Sequence, residues 1–398
     1  MDMGMNGVLE GIRVLDFGRY IAAPYCAAML AGLGAEVIRI ERPGGNDDRY
    51  VMPLTPDGEG AVYHQMNSGK RSLTLDLTQP KARDILTRLV AGCDVAVVNL
   101  PPKAAHRLGL DYEALRAVKP DIILVSITAF GSRGSRKDSI GFDVTGQAMS
   151  GAMALTGLPG QPFRSATSYV DYSTGISAAY GALAAILARY RTGRGQQVEA
   201  SLLGTALAIM NPVLIEEASG ARSRTATGNR SPISGPSDLF VTRDGWVFVQ
   251  VIGQDMFERL ARLVGAPGLI DDPRFADDIG RGEHGEVLST IVAEWCAPRT
   301  SAECLAELAE ARVPGCRLLS PAEALVEPQH AEGGHFDWVQ PPGLPAAIPL
   351  VAPTARLTAG ARLGRQPAPA LGADTDDILK SLGYGDREIA DFRTTGVV

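Results

Sequence analysis

Asp171 is the residue whose surroundings in the sequence most suggest chemistry. It lies in the run S-Y-V-D-Y-S-T-G-I-S-A-A-Y-G-A-L-A-A-I-L, where small apolar residues follow the carboxylate at once. This pattern predicts a buried helix, most apolar at 175–187, with Asp171 at or near its N-cap. There the helix dipole and free backbone N–H groups favour the ionised carboxylate. An ionised, sheltered carboxylate can attack an acyl group, although a helix cap without a catalytic role is the simpler interpretation.

Composition narrows the class of protein. The chain has 398 residues, 45% of them hydrophobic, and a formal net charge of -7, which is typical of a globular protein and disfavours nucleic-acid binding. The five cysteines form no C-x-x-C pair, and the histidines have no metal-ligand spacing, so we expect no disulfide framework and no metal site. The first residues lack a signal-peptide pattern and no apolar run is long enough to span a bilayer, so we expect a cytoplasmic protein with no membrane partner.

Strand and helix patterns alternate in the first half of the chain. Short connections between them predict a parallel sheet with helices on both faces. The predicted strands are 13–17, 36–41, 72–77 (a strand or an edge), 95–100 and 122–128, and the predicted helices are 24–34, 81–91 and 112–118.

The regular alternation of predicted strands and helices ends after about residue 201. A helix is predicted over 203–220, then a Gly/Ser/Arg/Pro-rich loop over 221–237. Two apolar runs flank Asp244-Gly245, which predicts a β-hairpin. Helices are expected from there to about 326, and another over 371–384. Domain boundaries are therefore expected near 205–225 and near 330.

The first strand–turn–helix unit resembles half of a dinucleotide-binding fold but lacks its phosphate turn. That turn requires G-x-G-x-x-G, whereas residues 18–24 read G-R-Y-I-A-A-P, with one glycine. The sequence therefore predicts a Rossmann-like sheet without a nicotinamide cofactor.

A series of segments extends over nearly the whole length of the chain. They are L-E-G-I-R-V-L-D-F and A-A-P-Y-C-A-A-M-L-A-G-L-G-A-E-V-I-R-I-E-R-P-G-G near the start, then N-S-G-K-R-S-L-T-L-D-L, V-V-N-L-P-P-K-A-A-H-R-L-G-L, G-F-D-V-T-G-Q-A-M-S-G, D-Y-S-T-G, R-Y-R-T-G-R-G-Q and the terminal T-T-G-V-V. In this order they together resemble the class III coenzyme A transferases, the family of formyl-CoA transferase and carnitine CoA-transferase.

The resemblance implies an α/β fold with two domains. A large Rossmann-like CoA-binding domain with a parallel sheet would span 1–205 and be completed by 335–398, and a smaller α/β domain would span 225–330. Two chains would form an interlocked homodimer.

The resemblance also places the family's nucleophile on Asp171. Its carboxylate would attack an acyl-CoA and pass through an aspartyl covalent intermediate to a carboxylic acid acceptor. Backbone N–H groups near the start of the helix would hold the developing oxyanions. No cofactor besides the CoA thioester substrate is implied.

The CoA contacts follow from matched positions. By resemblance they are Ile21, Ala22, Arg42, Leu75, Asp76, Leu77, Asn99, Leu100, Pro101, Arg107 and Lys137. Arginine and lysine at these positions suit the CoA phosphates. For each of these cations a solvated surface charge is the alternative.

Two departures from the family pattern concern the CoA contacts and the acid substrate. Pro101 stands where many members have arginine, so one phosphate or adenine contact would be missing or supplied by Lys103. The glycine run of the formyl-CoA transferases is absent from the segment around Gly228 and Gly235, so we expect a short-chain or dicarboxylic acid rather than formate or oxalate. Arg230 is a candidate partner for a distal carboxylate, with a surface arginine as the alternative.

The related α-methylacyl-CoA racemases are the principal alternative. They deprotonate the α-carbon with a histidine and an aspartate, but the histidine position is Phe142 here, which cannot exchange a proton. Asp143 remains available as an assisting carboxylate or as a helix cap. A non-catalytic homologue that binds acyl-CoA is the second alternative.

Overall fold

A computed structural model describes residues 7–55, 58–358 and 366–398 of the chain. Two compact units divide it. The first contains the described residues up to Ser150 together with Ala166–Ile209 and Gln329–Val398. The second contains Gly151–Ser165 and Met210–Pro328.

The strands are short and mostly apolar. They are β1 (Arg13–Asp16), β2 (Glu36–Glu41), β3 (Arg71–Thr74), β4 (Val95–Val98), β5 (Ile123–Thr128), β6 (Gly157–Leu158), β7 (Gln161–Pro162), β8 (Gln197–Ser201), β9 (Ser237–Thr242), β10 (Gly245–Gln250), β11 (Gly315–Arg317), β12 (Phe336–Val339) and β13 (Ile348–Val351).

The helices alternate with the strands in the first half of the chain. They are α1 (Ala22–Gly32), α2 (Ala61–Asn67), α3 (Ala82–Ala91), α4 (Pro102–Leu108), α5 (Tyr112–Val118), α6 (Asp143–Met149), α7 (Ala152–Leu155), α8 (Tyr169–Thr192), α9 (Leu202–Ala218), α10 (Gln254–Leu263), α11 (Asp278–Glu283), α12 (Gly285–Cys296), α13 (Ser301–Glu310), α14 (Pro321–Val326), α15 (Pro328–Glu332), α16 (Thr375–Ser381) and α17 (Asp386–Thr394).

A six-stranded parallel sheet organises the first unit, in the order β3-β2-β1-β4-β5-β8. Adjacent residues of one strand point to opposite faces, so Val14 joins one core while Leu15 joins the other. Helices α1 and α8 cover the first face, and α3, α5 and α16 cover the second. The sequence prediction of an α/β fold with a parallel sheet is therefore confirmed.

The second unit is built around an antiparallel sheet of order β11-β10-β9. Strands β9 and β10 pair across the turn at Arg243 and Asp244, as the predicted hairpin requires. Phe240, Val247 and Phe257 are buried in its core.

Several predicted elements differ in extent from those observed. Helix α8 begins at Tyr169, two residues before Asp171, which the sequence placed at or near the N-cap, and its first turn is capped by Asp143 from α6. The predicted strand 72–77 ends at Thr74 and lies at the sheet edge. The tail helix begins at Thr375 rather than 371. Within the described residues, no helix is long and apolar enough to cross a membrane.

Candidate active site

A cavity of about 270 Å³ opens at the carboxyl edge of the parallel sheet. Residues that follow β1, β4 and β5 line it, together with Asp171 from α8. The strand order runs in opposite directions from β1 and β4, and open α/β sheets bind their ligands at such a point. The topology thus brings segments far apart in sequence to one place.

Asp171 occupies the first turn of α8, three positions inside the helix. Its side chain is half-buried and forms no hydrogen bond or ion pair with any part of the chain that the structure describes. Burial, with a smaller contribution from the negative charge of Asp143, raises the pKa of Asp171 to about 7. The expectation that the helix start favours the ionised form is therefore wrong in direction, since burial and repulsion outweigh the helix dipole.

Asp143 explains why the amides at the start of α8 do not stabilise the ionised form of Asp171. This carboxylate is only 5% exposed, and its Oδ2 accepts hydrogen bonds from the N–H groups of Val170 (2.8 Å) and Asp171 (3.1 Å). Gln147 donates to its other oxygen. Asp143 is thus a helix cap supplied from α6, and those two amides of the α8 first turn are already bonded.

The start of α1 differs from that of α8. Ile21 at its N-cap supplies no side-chain hydrogen bond, and the first turn contains no acid. The N–H groups of Ala22 and Ala23 have no partner within the described ranges, and both Ile21 and Ala22 line the cavity. Free amides at a helix start attract negative charge, so α1 is the helix that can hold an anion here.

The turn between β1 and α1 is tied to the segment after β4. Asn99 Oδ1 accepts from the N–H of Arg19 at 2.9 Å, and Asn99 Nδ2 donates to the Arg19 carbonyl at 2.8 Å. Tyr20 then adopts a left-handed φ of 64°, which is costly for a residue with a side chain. Its ring meets Phe142 edge-on at 5.8 Å between centroids, which forms one wall of the cavity.

A network of buried charged residues forms hydrogen bonds to the turn between β1 and α1 and to the residues that flank it. Lys70 Nζ donates to Asp16 (2.7 Å), the Pro24 carbonyl (2.9 Å) and Asn67 (3.1 Å). Arg39 donates to the Gly18 carbonyl. Each end of the turn is therefore held by a buried cation.

The structure brings seven of the twelve predicted site residues to the cavity: Asp171, Ile21, Ala22, Asn99, Leu100, Pro101 and Lys137. It does not bring the other five to the lining. Arg42 bonds the Gly45 carbonyl (2.7 Å) and Asp47 (2.6 Å). Arg107 lies exposed on α4.

The remaining three predicted residues follow β3. Leu75 is buried in the core and Leu77 packs against it. Asp76 accepts hydrogen bonds from Thr78. Arg230, proposed as a partner for a distal carboxylate, lies 3.6 Å from Glu286.

Sequence reasoning did not assign Arg19, Tyr20 or Phe142 to the site. All three line the cavity. The available signal was position, because Arg19 and Tyr20 directly precede Ile21 in the turn after the first strand.

Comparison with known proteins gives the family. The profile of CoA-transferase family III matches residues 9–375. Succinyl-CoA–D-citramalate CoA-transferase of Chloroflexus aurantiacus is 32% identical over 394 residues, covering 98% of each chain. Succinate–glutarate CoA-transferase of Agrobacterium fabrum is 32% identical and covers 94% of this chain and 95% of its own length.

A solved structure agrees in fold. The crystal structure of a CAIB/BAIF family protein from Brucella suis superposes with a TM-score of 0.83 at 30% identity, covering 95% of this chain and 100% of that one. The profile match and the near-complete relatives establish what the resemblance in the sequence predicted: the chain belongs to CoA-transferase family III and is a CoA-transferase.

Proposed function

We propose that the enzyme moves CoA from an acyl-CoA to a carboxylic acid acceptor through a covalent intermediate on Asp171. The observation that carries this proposal is an unpartnered carboxylate, with a pKa raised to about 7, in a cavity at the carboxyl edge of the sheet. Such a group is ionised in part at neutral pH and is weakly solvated, which suits a nucleophile.

The proposed reaction consists of balanced acyl transfers. Asp171 attacks the thioester carbon and the C–S bond breaks, which gives a mixed anhydride and CoA thiolate. The thiolate attacks the aspartyl carbonyl and releases the donor acid, leaving an aspartyl-CoA thioester. The acceptor carboxylate then displaces the thiolate, and the thiolate attacks the new acyl group, which frees Asp171. The sequence of steps needs no cofactor besides CoA itself.

The α1 start is the proposed oxyanion site, in place of the α8 start expected from the sequence. The amides of Ala22 and Ala23 are unbonded within the described residues, whereas those of Val170 and Asp171 are occupied by Asp143. An unbonded helix start stabilises negative charge on the carbonyl oxygen as each tetrahedral intermediate forms.

The acid substrates are proposed to be short dicarboxylic acids. The names of both enzyme relatives couple succinyl-CoA or succinate with another acid, citramalate or glutarate. The cavity contains two cations, Arg19 and Lys137, which suit a substrate that carries more than one negative charge.

An interlocked homodimer and a cytoplasmic location complete the proposal. Ile176, Tyr180, Leu187 and Tyr190 recur on one face of α8 and are exposed, Tyr180 by 76%. Such an apolar face is typical of a contact with a second chain. All five cysteines are unpaired, which fits a reducing compartment.

Intact-mass spectrometry tests the covalent intermediate. With succinyl-CoA, the wild type is expected to gain the mass of CoA less one water on the peptide that contains Asp171, and Asp171→Ala is expected to gain nothing. Absence of an adduct with any acyl-CoA, combined with solvent deuterium at the α-carbon of a methylacyl-CoA, would favour the racemase-like alternative. Binding of acyl-CoA with neither result would favour the non-catalytic one.

A further inference from the structure

The cavity around Asp171 is lined by a cation, Arg19, that no described residue neutralises. Arg19 lines the cavity and is exposed, and its guanidinium has no hydrogen bond or ion pair within the described ranges. By contrast, the buried guanidinium groups of Arg39 and Arg49 contact carboxylates. An uncompensated cation in a cleft attracts an anion to it.

The backbone of Arg19 is fixed in place, which distinguishes it from a loose surface arginine. The Asn99 carboxamide bonds both its N–H and its carbonyl. Side chains of an extended chain alternate between two sides, so consecutive residues rarely face one cavity. The left-handed φ of 64° at Tyr20 breaks this alternation, and Arg19, Tyr20, Ile21 and Ala22 all line the same cavity.

The proposed reaction supplies two kinds of anion, the CoA phosphates and a second carboxylate on the acid. The pantetheine arm separates the phosphates from the thioester, whereas the distal carboxylate of a short dicarboxylic acid lies only a few carbons from the carbonyl that meets Asp171. Arg19 and Lys137 share a cavity with Asp171, whereas Arg42 and Arg107 do not line it. Of the two cavity cations, only the arginine offers a carboxylate two parallel N–H donors.

We propose that Arg19 binds the distal carboxylate of the acyl group and thereby selects dicarboxylic over monocarboxylic acids. This inference rests on the proposed function, because it assumes that the acyl carbonyl lies at Asp171. Arg19 is then a specificity-determining residue, with Asn99 as the residue that positions it.

The Arg19→Gln variant tests the inference in two measurements. The first compares succinate and butyrate as acceptors, and the second compares the binding of succinyl-CoA and butyryl-CoA. The two acids have equal length, and only succinate has a distal carboxylate. We expect Arg19→Gln to lower kcat/KM for succinate at least about 100-fold and for butyrate by less than about threefold. Arg19→Lys is expected to recover part of the succinate activity, because it keeps the charge but loses the paired donors.

Two controls separate this role from others. Arg133→Gln changes an exposed arginine outside the cavity lining and is expected to leave kcat/KM unchanged for both succinate and butyrate. Thermal unfolding of Arg19→Gln should match the wild type, because the side chain is exposed.

The outcomes distinguish the inference from the proposed function. Equal losses for both acids, or weaker binding of free CoA, would show that Arg19 contacts CoA and would overturn the inference. If no adduct forms on Asp171, the proposed function fails, and equilibrium binding still decides the inference. A preference for succinyl-CoA over butyryl-CoA that Arg19→Gln removes would support it, and an unchanged preference would contradict it.

Discussion

Asp16 and Asp171 are two sheltered carboxylates in the first unit that have opposite electrostatic surroundings. Asp16, the last residue of β1, contacts Lys70 at 2.7 Å and Arg39 at 3.8 Å. Burial alone would raise the pKa of Asp16, but these two cations together hold it below its usual value. Asp171 has no cation in contact among the described residues, and burial and Asp143 raise its pKa to about 7.

The difference separates a group that holds the fold from one that is available for reaction. A buried carboxylate with two cations and a bonded Gly18 amide has its hydrogen-bonding capacity largely used. A carboxylate with no partner is less stable in its ionised form and more reactive toward an acyl carbon. Asp143 has both a structural and an electrostatic effect, since it caps α8 and also repels the negative charge on Asp171.

Removing the charge of Asp16 is expected to have the largest effect, a loss of folding stability. Asp16→Asn leaves Lys70 and Arg39 buried with less counter-charge, and we expect a loss of about 3–5 kcal/mol in the free energy of unfolding. Urea denaturation measures this loss. The double variant Asp16→Leu/Lys70→Met removes both charges of the closest pair and should lose less than Asp16→Asn. A loss below about 1 kcal/mol in the single variant would show that the network is not structural.

The pH dependence of adduct formation sharpens the comparison at Asp171. Attack requires the ionised form, so the rate should rise about tenfold per pH unit below the pKa and level off above about pH 7. Asp143→Asn removes a negative neighbour, which lowers the pKa of Asp171 and shifts the profile to lower pH. Quenched-flow mass spectrometry measures the rate.

Asp111→Asn is the matched control for this pH shift. Asp111 also caps a helix, accepting from the Ala114 N–H at 3.0 Å, but it does not line the cavity. Its substitution should leave the profile in place. An unshifted profile in Asp143→Asn would mean that Asp143 does not set the pKa of Asp171.

The smallest expected effect is a gain in stability from Asp171→Asn. The pKa of Asp171 is higher in the folded state than its ordinary value of 3.8, so ionisation favours the unfolded chain. The penalty grows as pH rises from about 4 to 7 and remains complete above that. Because solvent screens the half-buried carboxylate, the expected effect is smaller than the full pKa shift implies, and Asp171→Asn should stabilise the protein by about 1 kcal/mol at pH 8 and by little at pH 4. Thermal unfolding at the two pH values tests this, and equal effects would exclude an electrostatic origin.

Local patterns were sufficient for much of the fold. Apolar runs of four to six residues with short connections predicted β1, β2, β4 and β5, and the Ala-rich run predicted the centre of α8. The sequence placed the start of α8 near Asp171 but did not identify Asp143 as its cap, because Asp143 belongs to a different helix. A residue 27 positions before Val170 leaves no signal in a local window.

The sequence alone determined the alternating α/β elements, the family resemblance and the place of Asp171 near a helix start, because these depend on neighbouring residues and on ordered motifs. The tertiary structure decided the pKa of Asp171, the free amides of α1 and the presence of Arg19 in the same cavity as Asp171. Those properties depend on burial and on distances across the sheet edge. The order β3-β2-β1-β4-β5-β8 sets these distances when it brings the ends of β1, β4 and β5 to Asp171.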